Sequence, residues 1–69
     1  MLYLVNKNAQ ISTGDHKIHN ENCTMRPNLE NTIELGNFYN VEVALYEARR
    51  YYANVNGCKN CCNEIYLKK

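Results

Sequence analysis

No stretch of this chain stays apolar for long enough to cross a membrane. The run Met1-Leu2-Tyr3-Leu4-Val5 stops at Asn6, far short of the roughly 20 residues a spanning helix needs. The same segment lacks the basic start and longer apolar stretch of a secretory leader. The chain is therefore expected in the cytoplasm, with no membrane partner. An excess of either charge is also missing, since eight Lys and Arg stand against seven Asp and Glu for a formal +1. A near-neutral surface exerts no global pull on nucleic acid or anionic lipid. The sequence has no glycine-rich phosphate loop and no paired-carboxylate motif. Neither phosphoryl transfer nor two-carboxylate acid–base chemistry is encoded, and no enzyme activity is expected. Repeats and low-complexity tracts are absent too, which leaves one domain over residues 1–69.

A chain of 69 residues buries only about 60% of the surface its unfolded state exposes. Ordering costs on the order of 1.5 kcal/mol per residue and nearly cancels the hydrophobic gain at this size. A staple is expected, and four cysteines are available to make it. In a reducing compartment clustered cysteines bind metal more often than they pair as disulfides.

The local pattern is α+β. Leu2 to Val5 is rich in strand formers and is followed by the turn signal Asn6-Lys7-Asn8. After a second turn at Ser12-Thr13-Gly14-Asp15, Lys17-Ile18-His19 alternates as a strand, so residues 2–19 read as a hairpin. Asn20 to Asn31 reads as an irregular loop containing Pro27. Thr32-Ile33-Glu34-Leu35 is another short strand, closed by Gly36-Asn37. Val41, Ala44, Leu45, Ala48, Tyr52 and Val55 then recur at helical spacing. Asn40 is the expected N-cap, Glu42 suits the positive end of the helix dipole, and Arg49 and Arg50 suit the negative end. Glu47 and Arg50 make an i, i+3 pair. Asn56-Gly57 supplies a left-handed stop. The spacing predicts one main helix from about Val41 to about Asn54, beside a short hairpin or small antiparallel sheet.

Candidate metal ligands bracket this framework. Cys58-Lys59-Asn60-Cys61 is a C-x2-C turn that can point two sulfurs at one ion, with Gly57 allowing the tight approach. His19-x3-Cys23 adds an imidazole and a third thiolate. His19, Cys23, Cys58 and Cys61 together make a Cys3His set, which suits one closed tetrahedral zinc ion. An iron–sulfur cluster would instead ask for four cysteines and recruit Cys62. Two alternatives stay open within the set. His16 competes with His19, standing on the opposite face of an extended segment. Cys62 competes with Cys61, although the residue after a C-x2-C turn is expected to be carried away from the ion. Three bound thiolates and one divalent ion would bring the formal charge from +1 to about zero.

The order of these motifs resembles the small Ada-like metal-binding domains, such as the zinc domain at the N-terminus of the Ada alkylation-repair protein. The resemblance is carried by Lys17-Ile18-His19, Cys23, Phe38-Tyr39-Asn40-Val41-Glu42-Val43-Ala44 and Gly57-Cys58-Lys59-Asn60-Cys61. It implies an α+β zinc module and a link to nucleic acid. In the Ada protein all four ligands are cysteines, and the first accepts a methyl group. His19 stands at that position here, so methyl transfer is not implied. The stretch from Ala44 to Cys58 is longer than the family's usual span.

The expected function is a structural zinc-binding module, a monomer that engages a macromolecular partner. Tyr39, Tyr46, Tyr51 and Tyr52 are the candidate contact residues. Nucleic-acid binding through Arg49, Arg50, Lys59, Lys68 and Lys69 is the second reading, requiring the tail to fold back along the helix. A zinc-linked thiol redox sensor using Cys58, Cys61 and Cys62 is the third.

Overall fold

The computed structural model describes residues 1–68, and Lys69 lies outside the described residues. Strands β1 (Leu2–Asn6) and β2 (His16–Asn20) pair antiparallel, with Val5 opposite Ile18 and Leu4 opposite His19. This is the expected hairpin. Strand β3 (Thr32–Asn37) runs antiparallel along the other side of β1. Helix α1 (Val41–Ala48) follows, and strand β4 (Val55–Gly57) returns parallel to β2. The sheet order is β3-β1-β2-β4. The fold is α+β as expected, but the sheet is mixed. Both β3 and β4 run with β2, so β3, α1 and β4 form a β–α–β crossover.

The helix starts where the sequence places it. Asn40 is extended, and its side chain accepts from the Val43 amide at 3.2 Å. The helix ends about six residues earlier than its apolar stripe predicts. Arg50 N donates to Glu47 O and Tyr51 N to Ala48 O, bonds that tighten the chain into a turn. Asn54 O then accepts from His16 N at 2.9 Å, which captures the following residues as a strand. Val55 keeps its place beside the core, but on a strand rather than a helix. The left-handed stop at Asn56-Gly57 is likewise corrected. Positive φ occurs only at Gly14 and Gly36 among the described residues, and Asn56 is buried within β4.

One face of the sheet carries the core. Tyr3, Val5, Ile18 and Leu35 pack against Val41, Ala44 and Ala48 of α1. Burying each larger apolar side chain contributes about 1.5–3 kcal/mol. Gly36 sits at the bulge between β1 and β3 with φ +134°, and the Phe38 ring occupies the space a side chain there would need. Strand alternation sends Leu4, Asn6, Lys17 and His19 to the opposite face. No helix among the described residues is long and apolar enough to cross a membrane.

Candidate metal centre

Three separate segments bring the site together on the helix-free face. His19 comes from β2 and is 5% exposed. Cys23 follows in a short loop, where Asn22 N donates to the Asn20 side chain and Cys23 N to Asn20 O. Arg26 braces that loop by donating to the carbonyls of Glu21 and Pro27. Cys58 directly follows β4, and its amide extends the ladder by donating to Ile18 O at 2.9 Å. The next turn closes through Cys62 N donating to Cys58 O at 2.8 Å, which swings Cys61 back toward β2. There the Asn20 amide donates to Cys61 Sγ at 3.4 Å.

The result is a group of four donor atoms, from His19, Cys23, Cys58 and Cys61, all within 4.8 Å of one another. Cys23 Sγ and Cys58 Sγ are 3.9 Å apart, and Cys61 Sγ is 4.0 Å from His19 Nδ1. Thiolates at about 2.3 Å from a tetrahedral ion would be about 3.8 Å apart. A disulfide would need about 2.0 Å, and all four cysteines are free. The spacing fits four bonds to one small cation. The donor set matches zinc, which accepts both sulfur and imidazole nitrogen. The group could hold such an ion.

The competing residues are placed elsewhere. His16 points to the helix side, where its ring stacks on Tyr52 with centroids 3.6 Å apart, and its Nδ1 lies 2.9 Å from Asn6 O. Cys62 is outside the four-residue group, but it is not carried away as expected. It is fully buried against the core, with Sγ 3.4 Å from Cys61 Sγ. The turn that returns Cys61 to β2 tucks its neighbour beneath the sheet edge.

Electrostatics favour the ligating forms at two positions. Burial, with Lys17 and Arg26 nearby, holds His19 below its ordinary pKa and so keeps it neutral, as a metal ligand must be. Burial pushes the Cys58 thiol up, but the backbone amides of Cys61 and Asn60 together with the Cys61 and Cys23 side chains hold the group below its usual value. Cys61 is different. Burial drives its pKa well up despite the Asn20 amide, so a bound cation is what would favour its thiolate.

Asn20 and Arg26 support the site without having stood out in the sequence, and Asn56 supports it from β4 instead of as the expected helix stop. Asn56 is 2% exposed. Its amide nitrogen donates to Asp15 Oδ2 and Leu67 O, and its oxygen accepts from Leu67 N at 2.9 Å. It thereby fastens the C-terminal segment to β4. Of the basic residues of the nucleic-acid reading, Lys69 lies outside the described residues. Arg50 pairs with Glu47 at 3.4 Å, Arg49 lies over Tyr46, and Leu67 near the end of the chain is hydrogen-bonded to Asn56 of β4.

No family model, curated protein or solved structure matches the chain. The resemblance to Ada-like domains rests on the motifs quoted above.

Proposed function

We propose that His19, Cys23, Cys58 and Cys61 bind one zinc ion, and that the ion is structural in a small non-catalytic module that engages a protein partner. The observation that most supports this is the convergence of four donor atoms within 4.8 Å from two stretches distant in sequence, residues 19–23 and 58–61. When bound, zinc supplies charge and directed bonds that tie β2, the Cys23 loop and the β4 turn together. Structural zinc in finger peptides contributes about 10–16 kcal/mol of apparent binding free energy, more than a core of this size supplies alone.

Four protein ligands close a tetrahedral site, leaving no position for water or substrate. That supports a non-enzymatic role. So does His19, which stands where the Ada-like pattern has its methyl-accepting cysteine. Tyr39 is fully exposed, and Tyr46 and Tyr51 are 67% and 52% exposed. Amphipathic rings of this kind suit a protein interface. Metal analysis of the purified chain tests the reading. One zinc per chain supports it, and absorbance of an iron–sulfur chromophore or a metal-free folded protein would contradict it.

A further inference from the structure

A pocket of about 350 Å³ opens on the helix-free face beside the His/Cys group. Its walls include His19 and Cys58 but neither Cys23 nor Cys61. It is therefore a space next to the four donor atoms, not the space between them. Its volume falls within the roughly 300–1,000 Å³ of small-molecule sites.

The lining has a definite chemistry. Lys17 from β2 and Lys59 from the C-x2-C turn both face it, and no carboxylate lines it. Lys17 is fixed in place. Its side chain is 13% exposed, its ammonium is 3.8 Å from Asp15 Oδ2, and it lies 5.2 Å from the centroid of the Tyr66 ring. The Asp15 carboxylate is shared with Thr13 and Asn56, and the long ion-pair distance leaves Lys17 donors for a ligand. Gln10 and Asn60 add amide donors and acceptors, and Tyr66 adds an aromatic wall.

We propose that this pocket binds a small organic phosphomonoester, its phosphate between Lys17 and Lys59 and its body against Tyr66, Gln10 and Asn60. Two ammonium groups from different segments suit a compact, multiply charged oxyanion. The volume exceeds what inorganic phosphate alone would fill, which assigns the remainder to a hydrogen-bonding body. The pocket does not depend on zinc being the bound metal.

The test is amide NMR of the full chain, with its metal content measured in parallel, titrated with ribose 5-phosphate, adenosine 5′-monophosphate, inorganic phosphate and ribose. The two organic phosphates should give saturable shifts at Lys17, Lys59, Asn60 and Tyr66, at least about tenfold tighter than inorganic phosphate. Ribose should give none. Lys59→Gln, an exposed change, should weaken binding several-fold with metal content unchanged. Lys17→Arg, which keeps a cation beside Asp15, should retain binding, and Lys17→Gln should abolish it. Absence of saturable shifts, equal response to ribose, or indifference to Lys59→Gln would overturn the proposal whether or not the chain holds zinc.

Discussion

Gly57→Ala removes no ligand and adds one methyl group immediately before Cys58. A β-carbon there would lie 2.5 Å from the Cys62 carbonyl oxygen and 2.6 Å from Ile65 Cγ1, where ordinary contacts begin near 3.4 Å. Gly57 does not have positive φ, so the cost is steric rather than conformational. The Cys62 oxygen is backbone and accepts from Ile65 N. It cannot rotate aside as a side chain could. Overpacking of this kind costs about 1–3 kcal/mol. The clash lies within the turn that positions Cys58 and Cys61, so the metal-binding form carries the penalty. Zinc affinity should fall between about fivefold and a hundredfold, at 1.4 kcal/mol per tenfold. Competition against a chromogenic chelator reads this directly. Affinity within about twofold of the parent would refute the idea that close packing of β4 on the turn sets the ligand geometry.

His19→Ala should weaken zinc binding by about a hundredfold or more, one ligand's share of the total. His16→Ala should leave affinity unchanged and lower the melting temperature through loss of stacking on Tyr52, a difference chelator competition and thermal melts will separate. Cys61→Ser should release the metal, whereas Cys62→Ser should retain it while destabilising the fold, because a hydroxyl replaces a fully buried sulfur. Cysteine β-carbon shifts report which thiols are metal-bound, and a bound shift at Cys62 instead of Cys61 would reverse the assignment. Asn56→Ala should cost about 1–3 kcal/mol by leaving the Leu67 backbone amide and carbonyl without their Asn56 partner. Urea denaturation measures that cost, and a loss below about 0.5 kcal/mol would show that the clamp contributes little.

Local chemistry made much of the framework legible. Strand formers in Leu2–Val5 and alternation in Lys17–His19 marked two strands, and Asn40 marked the helix start through a single capping bond. Spacing alone also brought His19, Cys23, Cys58 and Cys61 forward as one set. What failed depended on partners distant in sequence. Val55 fits a helical period, yet the backbone from Asn54 onward pairs with β2, and apolar periodicity carries no record of that pairing. Asn56-Gly57 has the composition of a helix stop, but Asn56 is held by Asp15 and Leu67 within a strand. Cys62 could be placed only once the turn after Cys58 was known to close onto the core.

The most direct measurement is a two-dimensional amide spectrum of the chain recorded with its native metal and again after chelation, alongside native mass spectrometry. One zinc per chain, with dispersed signals that collapse on chelation and return when zinc is restored, is the expected result. A metal-free chain that keeps its dispersed spectrum in chelator would contradict the proposal that the His/Cys group is a zinc staple.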